Sequence, residues 1–416
     1  MPRCDTPPQS PAEFNDDMDD IPFDEGDVVE VVEDDSLEPE GDEDLEEVEE
    51  GTEEEEETPE QSEIVPERDD AKFVFSKHTD GVLCCAFHPN KNNIAATGGI
   101  DDIAHMWDIT TGDVLMTTKS HEDSVEVVGF SYDGKYLASS DLRGNIWIWN
   151  TNDHSLVREF ELGDELSWSL WHHGSNVLIS SSYSGLIYMF KILTGEMKMI
   201  MAPFGSTCSC GKVFPDGKRL ASGYSQGNLK ILDMKQGKAI HSISLSDSEC
   251  GVSCIDVHRD NNLLICGCDN GDVILVNSQA GKVVAVLNSS RASSICNYIE
   301  TIGFCKDPTY QVAASGSLDG NLIIWDIAKQ VLRHRTTFSS SVNHLVWHPN
   351  QPVLFTSHSD GLIHMYDSKS GNVLREFMGH SKCIYSLALS PDGTTIMTTS
   401  EDKTARIFKV DEEKTS

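Results

Sequence analysis

From residue 71 onward, the hydrophobic and polar positions of the chain recur with a period of about 41–44 residues. Each unit ends in an apolar, often β-branched run that closes on a bulky side chain. A repeat of this length predicts a solenoid or a propeller. The eight closing residues are Trp107, Trp149, Phe190, Leu232, Val276, Trp325, Tyr366 and Phe408.

Each unit repeats the same order of local signals. An alternating strand runs into a tight Pro- or Gly-containing turn, as at residues 214–217 and 389–393. A strand rich in small residues follows, as at 313–316, and then a short polar turn and two more strands. Four antiparallel strands per unit form one propeller blade. The sequence therefore predicts an all-β, single eight-bladed propeller over residues 71–416.

The two ends of the repeat region predict how the ring closes. The last unit stops near Val410 after three strands. Residues 72–76 have the pattern of a strand and precede the first complete unit. We therefore expect this N-terminal segment to supply the outer strand of blade eight.

Charge divides the chain of 416 residues into two parts. There are 69 Asp and Glu residues against 31 Lys and Arg, and residues 1–70 hold 32 of the acids but only Arg3 and Arg68 as bases. Such a segment has too little apolar surface to offset the entropy of ordering, so residues 1–70 are predicted to be a disordered acidic tail. Its Val28–Val32 island is either chance apolar content or a short docking strand.

Composition also limits the partners and the compartment. Nucleic acid is disfavoured as a direct partner because phosphate contacts require clustered Lys and Arg. No apolar run approaches the length that spans a bilayer, and the N-terminus lacks the apolar core of a signal peptide. Twelve Cys without an export signal are expected to remain thiols. We therefore expect a cytoplasmic protein that is also present in the nucleus or at the cell periphery. A monomer is expected because a closed propeller has no long exposed strand edge that demands association.

Motifs for catalysis are missing from the sequence. It contains no Gly-rich phosphate loop and no G-x-S-x-G elbow. The pairs Cys208/Cys210 and Cys266/Cys268 favour packed thiols over zinc, which usually requires C-x₂-C spacing with further ligands. We therefore predict a non-enzymatic binding protein without cofactor or metal.

Acidic residues are concentrated in loops that a propeller places at one end of its channel. Such a surface attracts a Lys/Arg-rich protein segment, so we predict a basic partner. Trp168 either forms a stacking wall beside the 164–165 loop or packs in the core. An insertion at 288–297, which contains Arg291, is expected to form a loop over the same face. The predicted binding residues are Asp80, Glu122, Asp123, Asp164, Glu165, Trp168, Asp247, Glu249 and Glu300. The neighbouring inner turns add acidity that is partly structural, because the fold itself favours Asp in these turns: Asp101, Asp102, Asp141, Asp269, Asp319, Asp360, Glu401 and Asp402.

The blades resemble WD repeats, literally so at residues 107–108 and 325–326. Blades of this family carry a network that joins a His before the first strand, an Asp in the inner turn and the Trp, which the first unit matches with His78, Asp101 and Trp107. The second unit places Arg143 at the Asp position, and the eighth has Phe408 at the Trp position.

A narrower resemblance rests on the acidic tail and on residues 96–102 and 210–218. These are similar to the angio-associated migratory cell protein family and its fungal relatives. The fungal resemblance implies a dedicated chaperone that captures the N-terminus of a basic large-subunit ribosomal protein and delivers it to pre-60S particles. The animal resemblance implies a WD-repeat signalling scaffold in cell migration and angiogenesis. The residues alone imply only a basic partner.

Overall fold

The computed structural model describes residues 65–202, 205–245, 250–287 and 298–411. Within these ranges the regular secondary structure consists of β-strands, which confirms the all-β prediction. The predicted tail up to residue 64, including the Val28–Val32 island, lies outside the described residues, as do Asp247, Glu249 and the 288–297 insertion.

The described strands form eight four-stranded antiparallel sheets, the blades of the predicted propeller. One segment, Phe73–Phe75 (β1), precedes blade one. Blades one to four comprise Val82–Phe87 (β2), Ile94–Gly99 (β3), Ala104–Asp108 (β4), Val114–Thr117 (β5); Val125–Phe130 (β6), Tyr136–Asp141 (β7), Asn145–Asn150 (β8), Leu156–Glu161 (β9); Leu166–Trp171 (β10), Val177–Ser182 (β11), Ile187–Lys191 (β12), Glu196–Met201 (β13); Cys208–Val213 (β14), Arg219–Tyr224 (β15), Asn228–Asp233 (β16), Lys238–Ser244 (β17).

The remaining blades follow the same order. They comprise Val252–Val257 (β18), Leu263–Cys268 (β19), Val273–Asn277 (β20), Lys282–Leu287 (β21); Ile299–Phe304 (β22), Val312–Ser317 (β23), Asn321–Asp326 (β24), Val331–Thr337 (β25); Val342–Trp347 (β26), Val353–His358 (β27), Ile363–Asp367 (β28), Asn372–Phe377 (β29); Ile384–Leu389 (β30), Thr395–Ser400 (β31), Ala405–Lys409 (β32). The first strand of each blade contacts the first strand of the next, and β30 contacts β2, so the inner strands form a closed ring.

The N-terminal segment closes this ring, as predicted. β1 pairs antiparallel with β32 and becomes the outer strand of blade eight, with Phe73 opposite Ile407 and Phe75 opposite Ala405. Contacts with the ring begin upstream of the expected boundary at residue 71. Asp70 N donates to Met378 O at 2.9 Å, and Arg406 pairs with Asp69. The last residues of the predicted tail are therefore held against blades seven and eight.

Small residues near the end of each second strand let adjacent blades approach. A Cβ built on Gly316 would lie 2.5 Å from Val342 at the start of the next blade, and one on Gly98 would lie 2.6 Å from Val125. Contacts this close are essentially absent between real side chains, so glycine fits these positions. The apolar core therefore lies between neighbouring blades, where buried side chains of adjacent sheets interdigitate.

Candidate partner-binding face

One end of the propeller, here called the upper face, carries the loops that precede each first strand and the turns that follow each second strand. In all eight blades, the residue after the second strand donates its N–H to the carbonyl of the residue before the first strand, at 2.8–3.3 Å. The two sets of loops therefore share one face, as the repeat predicts. The eight donors are Ile100, Leu142, Tyr183, Ser225, Asp269, Leu318, Ser359 and Glu401.

The network expected in blade one is present in part. His78 Nδ1 lies 2.9 Å from Asp101 Oδ1, and His78 Nε2 lies 3.0 Å from Thr97 Oγ1. Trp107 was expected as the third member, but its indole N–H has no hydrogen-bond partner and stands outside the network. Its ring instead stacks on Phe75 of the closing strand. The network therefore fixes the loop through His78 and Asp101, and Trp107 contributes through packing.

Blade two contains the complete network, which corrects the sequence analysis. His121 lies 3.3 Å from Asp141 and 2.9 Å from Ser139 Oγ, and Trp149 Nε1 donates to the same hydroxyl at 3.0 Å. Arg143 does occupy the position equivalent to Asp101. The carboxylate comes from two residues earlier, because β7 ends on Asp141, which is buried below the turn.

Three predicted binding acids occupy equivalent positions and also stabilise their own loops. Asp80, Asp123 and Asp164 each accept the N–H of the following residue at 2.8–2.9 Å. Asp164 also accepts the Ser184 N–H, and hydrogen bonds from Ser184 lower its pKa despite partial desolvation. These carboxylates therefore have a structural role that the sequence analysis assigned only to the turn acids.

Counterions from neighbouring turns partly neutralise the same face. Arg143 lies 3.6 Å from Asp123 and 3.9 Å from Glu122, while Lys403 lies 3.6 Å from Asp80. The Glu122 side chain remains 68% exposed and the Asp80 side chain 55% exposed. A basic ligand can thus still reach these two carboxylates.

Several carboxylates lie close together where blades one and two meet. Partial desolvation raises the pKa of Asp102, and the nearby carboxylates of Asp123, Asp101 and Asp141 raise it further. Burial also raises the pKa of Glu126, again with a contribution from Asp123. A cation placed here would relieve this mutual repulsion.

Glu126 was missed by the sequence analysis, although its equivalent Glu300 was predicted. Both are the second residue of a first strand, in β6 and β22. Burial raises the pKa of Glu300 as well. Aligning the first strands of the eight units would have found Glu126 from its match to Glu300.

Exposed apolar side chains also occupy the upper face, and sequence analysis missed them. Ile100, Leu142, Tyr183 and Leu318 are the residues that follow the second strand in their blades, and they are 38–59% exposed. Ile100 lies in the same turn as Asp101 and Asp102, and the Leu142 N–H donates to Ser124 O, next to Asp123. The face offers apolar contact area together with negative charge.

Trp168 and Glu165 were predicted to bind a partner together, but they lie in different environments. Trp168 Nε1 donates to Cys208 O at 3.1 Å, and its ring covers Gly211 in β14. These contacts fix the indole between the inner strands of blades three and four. Glu165 is exposed in the loop before β10. Of the two roles considered for Trp168, its contacts fit structural packing.

The ten cysteines in the described residues are free thiols. Burial raises the pKa values of Cys208 and Cys266, each the first member of one of the two cysteine pairs noted in the sequence. Within the described ranges, no group of three or more His, Cys, Asp or Glu side chains is arranged to hold a metal ion. No described helix is long and apolar enough to cross a membrane.

Comparison with known proteins identifies the family. The human angio-associated migratory cell protein is 34% identical over 353 residues, which cover 82% of this chain and 80% of the relative. The chain belongs to the angio-associated migratory cell protein family. A WD repeat-containing protein of Schizosaccharomyces pombe is 27% identical over 346 residues, which cover 80% of this chain and 85% of the relative.

Family models and solved structures agree with the propeller architecture. The WD domain, G-beta repeat model matches residues 70–108 and 112–150, and a model of the N-terminal domain of nucleolar protein 10-like proteins matches 207–412. Sqt1 of Saccharomyces cerevisiae superposes with a TM-score of 0.76 at 19% identity, covering 83% of this chain and 100% of Sqt1. Chaetomium thermophilum Sqt1 bound to the N-terminus of ribosomal protein L10 gives 0.74 at 20% identity, covering 82% and 100%. At these identities the structures show a shared fold.

Proposed function

We propose that the protein captures a Lys/Arg-rich N-terminal segment of a large-subunit ribosomal protein on its upper face and escorts that protein during 60S assembly. The observation that carries the proposal is the group of carboxylates contributed by blades one and two. Asp102, Glu122, Asp123 and Glu126 lie in or next to two neighbouring loops. Desolvation raises the pKa values of Asp102 and Glu126, and the nearby Asp123 carboxylate raises both further. A basic segment supplies positive charge beyond that of Arg143, which already pairs with Glu122 and Asp123.

The chemistry of the face fits arginine better than an isolated cation. Guanidinium groups form bidentate pairs with exposed carboxylates such as Glu122. Their aliphatic stems can cover the exposed Ile100 and Leu142 side chains, because long basic residues bury their methylenes on apolar surface. Capture of a newly made basic segment would shield it from other polyanions until assembly.

The Chaetomium Sqt1 complex supports the choice of partner. That propeller is bound to the N-terminus of ribosomal protein L10, and it shares the architecture of this chain.

As part of the proposal, we take the protein to act as a cytoplasmic monomer. Cell fractionation and sedimentation of the purified protein test these two points.

Calorimetric titration of the full chain with the N-terminal peptide of L10 tests the proposal. We expect binding that weakens as salt is raised and that exceeds the binding of a scrambled peptide with the same charge. Equal binding of both peptides would reduce the upper face to non-specific charge attraction. Absence of binding at low salt would contradict the proposal.

A second candidate function is a signalling scaffold in cell migration, which the name of the human relative favours. Such a scaffold would bind partners without basic termini through surfaces away from the upper face. Affinity purification from migrating cells distinguishes the two proposals. Recovery of cytoskeletal regulators without ribosomal proteins would support the scaffold, whereas recovery of L10 would support the escort.

A further inference from the structure

The opposite end of the propeller, here called the lower face, contains a groove with a different chemistry. Two adjoining cavities of about 490 and 320 Å³ share Pro215, Val257 and Lys306 in their walls. Together they run from Trp171 in blade three to Pro391 in blade eight. This lower groove lies at the lower channel mouth, because its walls include the last residues of six first strands, Trp171, Val213, Val257, Phe304, Trp347 and Leu389.

A buried carboxylate at the base of the groove organises two lysines from neighbouring blades. Asp256 in β18 has a side chain that is only 5% exposed. Lys212 Nζ lies 3.4 Å from Asp256 Oδ1, and Lys306 Nζ lies 4.0 Å from Oδ2, which also accepts the Phe304 N–H at 2.8 Å. Burial opposes ionisation of Asp256, but the two lysines and backbone N–H groups lower its pKa. One ionised carboxylate therefore holds ammonium groups from blades four and six together.

The charges that line the groove leave a positive excess. The Lys212 and Lys306 side chains are 48% and 51% exposed, so each ammonium can meet a second anion on its open side. Arg259 adds a third positive charge and donates to Pro308 O at 3.0 Å. Four acids of the lower turns lie outside the lining and accept hydrogen bonds within their own turns. These acids are Asp216, Asp260, Asp307 and Asp392. Hydrogen bonds from Thr309 lower the pKa of one of them, Asp307, and Arg259 contributes to this shift, so Arg259 is partly neutralised.

Apart from His173 and Ser390, the remaining walls of the groove are apolar. Trp347, Phe304 and Val346 lie beside the prolines of three lower turns, Pro215, Pro349 and Pro391. Aromatic and proline surfaces of this kind accept a bulky side chain of a peptide, whereas a free phosphate would use only the lysines. The length of the groove also exceeds what a single anionic group would occupy.

We propose that the lower groove binds an acidic peptide segment of a partner protein that carries a bulky apolar residue. Its carboxylates pair with Lys212, Lys306 and Arg259, and its apolar side chain packs against Trp347 and the turn prolines. The two faces would then select partners of opposite charge. The propeller could hold a basic client above and an acidic assembly factor below at the same time.

Fluorescence anisotropy on the full chain tests the proposal with a labelled twelve-residue peptide in which Glu and Asp flank a central Leu-Phe pair. We expect the Lys306→Gln/Arg259→Gln double variant to weaken binding by about tenfold, because two half-exposed ion pairs are lost. Arg259→Gln alone leaves the Asp256 pairs intact and should give part of this loss. Lys91→Gln, which removes an exposed lysine from a lower turn outside the groove, is the control and should bind like the parent.

Two further probes decide which chemistry the groove recognises. A peptide with Gln in place of its acids and one with Ser in place of Leu-Phe should each bind more weakly than the original. Equal binding of the Ser peptide, or equal weakening by Lys91→Gln, would overturn the proposal. Tighter binding of a twelve-nucleotide single-stranded RNA, weakened by the same double variant, would also overturn it in favour of a phosphate-binding groove.

Discussion

Phe75 lies flat on Trp107, with ring centroids 4.3 Å apart and ring planes at 13°. Phe75 belongs to the strand that completes blade eight, whereas Trp107 is the closing residue of blade one. This stacked pair therefore joins the blades on either side of the ring closure.

Truncating this contact should destabilise the whole ring. Phe75→Ala is expected to lower the free energy of unfolding by about 3–5 kcal/mol, because a fully buried aromatic ring is removed. Val74→Ala on the same strand should cost far less, because Val74 is exposed. Chemical denaturation of both variants measures the difference. Equal losses would show that the closing strand acts only through its backbone pairing.

The networks of blades one and two predict different costs for removing and for keeping a network hydroxyl. Ser139 contacts both His121 and Trp149, so Ser139→Ala leaves His121 Nε2 and Trp149 Nε1 buried without this partner and should cost about 2–3 kcal/mol. Thr97→Ser keeps the hydroxyl that contacts His78 and should cost about 1 kcal/mol at most. Denaturation midpoints compare them. A larger loss for Thr97→Ser would contradict the assignment of the complete network to blade two.

Close blade contact predicts which glycines tolerate a methyl group. Gly316→Ala is expected to destabilise the protein by about 1–3 kcal/mol, because its Cβ would meet Val342 and Thr301. Gly174→Ala is the control, since its Cβ would lie 3.7 Å from the nearest atom. Thermal unfolding of the two variants is the measurement. Tolerance of Gly316→Ala would mean that the blades can move apart at this position.

Buried histidines predict acid sensitivity. Burial, aided by His78, lowers the pKa of His105 from 6.5 to about 4, and Asp101 opposes this only in part. Between these values the unfolded chain binds a proton that the folded chain does not, so stability falls as pH falls, by about 1.4 kcal/mol per pH unit. Above pH 6.5 both states are neutral and the contribution of His105 to this pH dependence vanishes.

A substitution isolates the contribution of His105 from those of other buried histidines. Between pH 4 and 6.5, His105→Gln should reduce the slope of unfolding free energy against pH by up to about 1.4 kcal/mol per pH unit, which corresponds to one proton. This holds whatever the effect of the substitution on stability at neutral pH. Urea denaturation at several pH values measures this slope. An unchanged slope would show that His105 titrates at its ordinary pKa in the folded protein.

Much of the architecture could be predicted because it depends on local pattern repeated eight times. The closing strand Phe73–Phe75 was predicted from the missing fourth strand of the last unit, since a sheet edge left open in a ring requires a partner. The carboxylate that contacts His121 was not predicted. Periodicity gives strand positions, but the reach of Asp141 from the end of β7 depends on the exact end of the strand.

The upper face was predicted in outline and missed in detail for a similar reason. Counting carboxylates in loops found Glu122 and Asp123, but Arg143 pairs with both across turns that only the folded ring brings together. Ile100 and Leu142 escaped attention because the count considered charge alone. Both residues are exposed because they directly follow the second strand of their blades, and this position can be recognised only once the strand register is known.

Calorimetry on variants tests whether the carboxylates of blades one and two capture a basic segment. The full chain carrying Asp102→Asn and Glu122→Gln should bind the L10 N-terminal peptide about tenfold more weakly, because two exposed charge pairs are lost. Asp113→Asn removes an exposed carboxylate from a lower turn of blade one, between β4 and β5, and should bind like the parent. If the double variant binds as tightly as Asp113→Asn, the upper face is not the binding site for this segment.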